Sequence, residues 1–260
     1  MKSVPPPASL STTQALRYSR QILLPGFDLD KQERLLHSRV LMIGVGGLGC
    51  AAAQYLVAAG IGQLTLVDDD KVELSNLQRQ LLHSETSIGE FKSESARSRL
   101  TQINSTVQLH TINRRLTDTE LAEQITAHDI VLDCCDNLAT RKQINAQCIA
   151  AAKPFVSGAA IRMEGQVCSF SAQPDQACYQ CLSAMFGEQN LSCMEAGIMS
   201  PVVGIIGAMQ ALEAIKILTN YGKPLNNALL MFDAMTSEWR RFTLLKNAEC
   251  GVCSPAQQTV

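Results

Sequence analysis

Gly44, Gly46 and Gly49 stand as Gly-x-Gly-x-x-Gly between the apolar run Val40–Ile43 and a stretch of small residues that closes at Gly60. Glycines at this spacing let the backbone approach a phosphate, and the N-terminus of a following helix offers free N–H donors. Asp68, about 20 residues on, ends the next apolar run, where a carboxylate binds a ribose hydroxyl in dinucleotide-binding turns. The same glycines would also allow close packing of strand on helix. Strand, turn, helix and acid falling in register favour a nucleotide.

The residues that follow bear on which nucleotide. Ser75-Asn-Leu-Gln-Arg-Gln80 sets Asn76, Arg79 and Gln80 just after the acid, and Lys92 follows in Gly89-Glu-Phe-Lys. A dinucleotide's diphosphate is held largely by backbone and needs no such cations. A triphosphate attacked at its α-phosphorus does, because charge must be neutralised as pyrophosphate leaves. Taken singly, Arg79 and Lys92 read equally well as solvated surface charges. No Gly-x-x-x-x-Gly-Lys-[Ser/Thr] motif occurs, which excludes a Walker-type phosphate loop. Asp136 and Asn137 end Asp133-Cys-Cys-Asp-Asn. Ligands of open α/β sheets gather at the carboxyl ends of strands, so Asp136 could hold a magnesium ion that bridges phosphates. Either residue could instead cap a helix that begins near Leu138.

Cys178-Tyr-Gln-Cys181 and Cys250-Gly-Val-Cys253 are two short thiol pairs far apart in the chain. Four thiolates in this pattern match tetrahedral zinc. With no histidine in either pair and no open ligand position, the site would be structural and would tie the C-terminal segment back to residue 178. Two independent thiol pairs or a redox motif are the alternatives. Cys50, Cys148 and Cys168 lie in apolar runs and read as small core residues. Cys193, in Asn190-Leu-Ser-Cys, has no metal partner nearby in sequence; it could serve as a nucleophile or as a packing residue. His37, His83, His110 and His128 are scattered and read as surface or cap residues.

Positioning these groups needs a sheet whose strand ends converge. The apolar periodicity predicts strands at Arg39–Ile43, Gln63–Val67, 106–111, 130–134 and 155–157. Helices are predicted at Gly47–Ala59, 93–103, Asp118–Ala127 and 138–151, with a helix, turn and helix over 13–37. Strands that alternate with helices argue for a parallel, Rossmann-like sheet. The later part reads as an extended strand over 161–171, a long loop over 177–201, an apolar helix over 202–218 and a hairpin of Ala228–Asp233 with 238–245. These strands should extend the sheet in antiparallel fashion. The expectation is an α/β fold with a mostly parallel sheet, an antiparallel extension and a structural four-cysteine zinc site, in one domain over 13–260.

Bulk properties agree. The chain has 260 residues, 46% hydrophobic and 18% charged, as in ordinary globular proteins. A net charge of −2 gives no basis for binding nucleic acid or an anionic membrane. No apolar run is read as reaching the roughly 18 residues of a membrane span. Pro5, Pro6 and Pro7 suggest a disordered leader over 1–12, with no apolar core of a signal peptide, so a cytoplasmic location is expected. Ten cysteines in such a compartment point to metal or chemistry rather than disulfides.

The set as a whole resembles the MoeB/ThiF family, bacterial relatives of ubiquitin-activating enzymes. The pieces that carry the resemblance are Arg17-Tyr-Ser-Arg20-Gln-Ile, Gly44-Val-Gly-Gly-Leu-Gly49, Leu74-Ser-Asn-Leu-Gln-Arg79-Gln, Asp133-Cys-Cys-Asp-Asn137, Ser157-Gly-Ala-Ala-Ile-Arg-Met-Glu-Gly165 and the paired cysteines. They span nearly the whole chain. The resemblance implies that ATP with magnesium adenylates the C-terminal glycine of a small ubiquitin-fold, MoaD-like sulfur carrier ending in Gly-Gly, for molybdopterin synthesis. The thiamine-pathway carrier is the alternative. It further implies that Gly47 lies against the nucleotide, Asp68 holds the ribose, and Asn76, Arg79 and Lys92 neutralise phosphates. Ser75, Leu77, Gln78 and Asn137 join the ATP-binding set, and Asp136 holds magnesium. Arg20 would reach into the partner subunit's site, which makes the active unit a homodimer. The carrier body would rest on the exposed sheet of the second half. Nothing past Cys253 resembles the sulfurtransferase domain of some relatives, so sulfur is expected from a separate protein. Cys135 stands where relatives commonly have Thr.

Overall fold

The computed structural model describes residues 10–186 and 196–254. Residues 1–9 of the expected leader and Cys193 lie outside them. Five parallel strands form the first part of one sheet: β1 (Arg39–Ile43), β2 (Gln63–Val67), β3 (Gln108–Ile112), β4 (Ile130–Asp133) and β5 (Phe155–Ile161). Three antiparallel strands complete it: β6 (Glu164–Phe170), β7 (Ala228–Asp233) and β8 (Glu238–Thr243). The order across the sheet is β3-β2-β1-β4-β5-β6-β7-β8, the mixed architecture expected from the sequence.

The apolar runs of β1 and β4 are continuous rather than alternating because helices cover both faces of the parallel part. The helices along the chain are α1 (Thr12–Arg17), α2 (Ser19–Ile22), α3 (Asp28–His37), α4 (Gly47–Ala59), α5 (Lys92–Ile103), α6 (Asp118–Ala127), α7 (Leu138–Ala150), α8 (Tyr179–Phe186) and α9 (Ser200–Thr219). One core lies between the sheet and α4, α5 and α9. The other lies between the sheet and α6, α7 and α8. Gly60 ends α4 in the left-handed conformation at φ +88°, the helix stop its position suggested.

Three expectations need correction. The strand expected over 155–157 runs on to Ile161 as β5, and the one expected over 161–171 begins only at Glu164 as β6: Arg162 turns at φ +54° between them, and Ile161 pairs with Glu164. A non-glycine in the left-handed region gives no turn signal in sequence. The loop over 177–201 contains α8, which starts inside the first Cys-x-x-Cys pair. Lastly, α9 has 20 residues and is long and apolar enough to cross a membrane by length and composition. Half of it is buried in the core, where Gly207 lets it approach the Leu48 carbonyl of α4.

Candidate active site

The carboxyl ends of β1, β2 and β4 converge on the Gly44–Gly47 turn. Gly44, at φ +93°, has no room for a side chain: a Cβ there would lie 2.7 Å from the Cys134 carbonyl oxygen. A Cβ on Gly49 would lie 2.1 Å from the Gly44 oxygen, so this glycine sets the close approach of α4 to β1. Both are packing requirements. Gly46 is different, since its nearest neighbour would be the Gln80 amide at an ordinary 3.6 Å. Gly47 faces Val203 of α9 with its Cβ position and presents only backbone elsewhere. Gly46 N-caps α4 without a side-chain cap, which leaves the first-turn N–H groups without side-chain partners. The turn thus has the orphan donors an anion needs.

Asp68 sits at the end of β2, half-buried. It accepts the Val45 N–H at 2.7 Å and the Asp70 N–H at 2.9 Å. Burial lifts its carboxyl above the usual range, countered by Lys92 and these two N–H groups. Lys92 begins α5 and is 7% exposed, so it is not the solvated charge that its sequence position alone allowed. Its ammonium pairs with Asp70 at 2.7 Å. Arg79, partly buried, donates to the Ser75 carbonyl at 3.0 Å. Asn76 is buried and accepts the Glu73 N–H. Leu77 is partly buried, and the exposed Gln78 accepts from Ser200 of α9 through its carbonyl, which docks the loop on that helix. Gln80 leaves a buried side-chain oxygen without a partner among the described residues, directly beside the turn.

Asn137 caps α7: its side-chain oxygen accepts the Thr140 N–H at 2.9 Å. Asp136 is exposed, and among the described residues its carboxylate accepts only a long 3.5 Å bond from Asn137. This free hard-oxygen donor fits a magnesium ion. The Asp68, Asp69 and Asp70 cluster fits one less well, because Asp69 pairs with Arg115 and Asp70 with Lys92.

The four cysteines come together. Cys178 Sγ lies 4.0 Å from Cys181 Sγ and 3.7 Å from Cys250 Sγ, and Cys181 Sγ lies 3.5 Å from Cys253 Sγ. A tetrahedron with metal–sulfur bonds of about 2.3 Å has sulfurs about 3.8 Å apart, so the set fits zinc. Asn145 of α7 donates to Cys178 Sγ and accepts the Tyr179 N–H, and the Asn247 N–H points at Cys181 Sγ. These bonds orient the thiolates from outside. The knuckle therefore anchors α8 and the segment after β8 to α7. Cys50, Cys148 and Cys168 are buried, as expected of core residues.

Arg20 is not brought to this site. It lines a groove of about 390 Å³ with Arg17, Tyr55, Ala58, Ala59 and Leu212. That groove lies at the C-terminal end of α4, about 18 Å along the helix from the glycine turn.

Sequence reasoning missed a buried network behind Asp136. Arg141 lies 3.6 Å from Asp133, which accepts from Ser157 Oγ at 2.6 Å; Arg141 also donates to the Cys135 carbonyl and to Ser157. Gln210 of α9 donates to the Asp133 carbonyl. The Asp-Cys-Cys-Asp motif pointed to the strand end, but nothing in sequence linked it to an arginine on α7. His83 is a second correction. It is buried and bonded at both ring nitrogens, neither surface nor cap.

Comparison with known proteins is consistent with this geometry. The ThiF family model matches residues 18–252. The chain is 56% identical over 246 residues to the molybdopterin-synthase adenylyltransferase of Escherichia coli K12, covering 95% of this chain and 99% of that protein. It is 46% identical over 238 residues to the sulfur carrier protein ThiS adenylyltransferase of the same organism, covering 92% and 94%. A crystal structure of E. coli MccB with ATP superposes with a TM-score of 0.81 at 23% identity, covering 94% of this chain and 75% of that one, which is a likeness of fold.

Proposed function

The chain belongs to the ThiF family, and we propose that it uses ATP to adenylate the C-terminal carboxylate of a small sulfur-carrier protein of the molybdopterin pathway. The observation that carries the reading is the convergence on one glycine turn of Asp68, the Lys92 ammonium beside it and the end of β4 that leads into Asp136. A nucleotide there would have its ribose at Asp68 and its phosphates on the turn, with Asn76, Arg79 and Lys92 supplying hydrogen bonds and positive charge. Ser75, Leu77, Gln78 and Asn137 shape the same pocket.

The chemistry asks little of a base. A carrier's terminal carboxylate is already ionised at neutral pH. One of its oxygens attacks the α-phosphorus, the new O–P bond forms, and the bond to the β-phosphate bridging oxygen breaks as pyrophosphate leaves. What the protein supplies is alignment and charge stabilisation. This accounts for the lack of a catalytic histidine among the described residues that form the site. Asp136 would hold magnesium, which lowers the charge of the triphosphate when bound. Cys178, Cys181, Cys250 and Cys253 would hold zinc as a structural tie. Cys193 would serve no step of adenylation.

Arg20 sits too far from its own turn to serve it, which is compatible with the role that the family resemblance implies, in a partner subunit's site. The apolar rim of its groove, with Tyr55 60% and Leu212 46% exposed, suits a homodimer interface. The carrier body would rest on the exposed sheet of the second half, where the edge strand β8 presents Trp239, 41% exposed. Sulfur would come from a separate sulfurtransferase, in the cytoplasm.

The test is exchange of labelled pyrophosphate into ATP with each Gly-Gly-ended carrier in turn. Exchange with the molybdopterin-pathway carrier supports the reading. Exchange with the thiamine-pathway carrier alone keeps the chemistry and moves the protein to the other pathway, which the similarity to the ThiS adenylyltransferase makes the second reading. No exchange with any carrier overturns both.

A further inference from the structure

His83 lies beneath the glycine turn, between the loop that carries Arg79 and the helix that carries Lys92. Its Nε2 is 3.2 Å from the Val45 carbonyl oxygen, and its Nδ1 is 3.0 Å from Ser95 Oγ. A carbonyl only accepts, so Nε2 carries the proton and Nδ1 accepts from the Ser95 hydroxyl. Cys50 Sγ, 3.4 Å away, is a second donor to the same carbonyl. The far side of Val45 is also fixed, because its N–H donates to Asp68 at 2.7 Å.

The geometry of one peptide group gives this clamp a consequence. The Val45 C=O and the Gly46 N–H belong to the same planar trans peptide and point in opposite directions. Holding the carbonyl inward turns the Gly46 N–H outward, where it meets no acceptor among the described residues. Ser95 follows Lys92 by one turn of α5, so the same imidazole also sets the distance between the glycine turn and the lysine. We propose that His83 is a positioning residue for the nucleotide: it aims the Gly46 N–H at a phosphate and locks that donor to the Lys92 helix through Ser95. This rests on the adenylation reading above. Burial holds the ring in its neutral form, as a one-donor, one-acceptor link requires.

The test is steady-state pyrophosphate exchange on the full-length protein, comparing His83→Leu, which fills the space without a donor, with His83→Gln, which restores one near Nε2. For His83→Leu, the KM for ATP should rise about 10-fold and kcat should fall about 10-fold, with the KM for the carrier unchanged. His83→Gln should recover most of both while melting no higher than His83→Leu. Wild-type constants in His83→Leu, or equal damage in the two variants, would overturn the proposal. If His83→Leu does not fold, Ser95→Ala decides: the KM for ATP should rise about 3-fold, and no rise would overturn it. Should wild type exchange with no carrier, the adenylation reading fails first. Amide hydrogen exchange through residues 44–49 then decides the clamp alone, with faster exchange expected in His83→Leu and unchanged exchange overturning it.

Discussion

Lys92 and Asp70 form an ion pair of 2.7 Å in which the lysine is buried and the aspartate side chain is 61% exposed. The asymmetry decides what each contributes. The aspartate reaches water whether or not its partner is present. The lysine stands at the protein side of the pair, beside Asp68 and the glycine turn, and is the group that a phosphate would draw away. On the proposed function, the pair is a holding position for a cation rather than a strut.

Lys92→Ala should therefore cut pyrophosphate exchange by about 10²–10³-fold, the loss typical of removing one preorganised charge-stabilising group. Asp70 is left solvated, but the buried Asp68 carboxylate loses the cation that offsets its burial, so the melting temperature should fall by about 2–4 °C with the protein still folded. Arg79→Ala should lose exchange alike. Exchange near the wild-type rate in either variant would sink the phosphate assignment.

Asp136 and Asn137 should separate activity from stability. Asn137 caps α7, and losing a cap costs about 1 kcal/mol. For a domain of this size, Asn137→Ala should lower the melting temperature by about 2–4 °C. Asp136 makes one long hydrogen bond, so Asp136→Asn should melt like wild type yet lose most exchange activity at any magnesium concentration. Asp136→Asn with full activity would remove the magnesium assignment.

These pairs show what the sequence could and could not carry. The parallel half of the sheet was legible because apolar runs of five residues alternate with capped helices, and Asp68 falls where β2 must end. The four-cysteine centre was legible because two short thiol pairs leave few other uses. The position of the β5–β6 turn was not, because it rests on Arg162 at positive φ, a conformation the fold imposes on an ordinary residue. The ties that hold the strand ends, Arg141 to Asp133 and His83 to Val45, join residues from different elements, and no local pattern announces them. Sequence could separate neither Asp136 from Asn137 as the cap nor Lys92 from a surface charge, since a bond from the Thr140 N–H decides the first and burial the second.

Cys178→Ser should lose metal and stability together. Cys178 is fully buried and oriented by Asn145, so α8 and the segment after β8 share one anchor. Closed thiolate sites contribute several kcal/mol or more to folding. At about 2–4 °C per kcal/mol the melting temperature should fall by about 10 °C or more. Chelation of the wild type should do the same. A variant with full zinc content by metal analysis would refute the four-cysteine site.

Stability should fall on mild acidification. Burial holds His83 and His128 below their ordinary value of 6.5. The unfolded chain then binds more protons than the folded one as pH drops past 6.5, so stability is present above that value and is lost below it. Asp68, lifted by burial, acts in the opposite sense from 3.8 upward, one group against two. Glu94 and Glu120, held low by hydrogen bonds and arginine partners, contribute only below about 4.5. Urea unfolding at pH 7.0 and 5.5 should show the loss, and His83→Gln with His128→Gln should flatten it. A flat profile in wild type would contradict the buried neutral histidines.

Arg20 offers the sharpest test of the proposed dimer. It lies at the opposite end of α4 from the glycine turn, and the proposed dimer would have it serve the site of a second subunit. Arg20→Ala and Arg79→Ala should each be nearly inactive alone. Mixed, refolded and re-paired at random, half of the dimers combine one chain of each kind. In these, the chain that keeps Arg79 receives Arg20 from its neighbour and regains a complete site, while the other site lacks both. The mixture should therefore recover about one quarter of wild-type exchange per subunit. Recovery of that size requires complementation between subunits. A mixture no more active than its components, in protein shown to be dimeric, would remove Arg20 from the reaction.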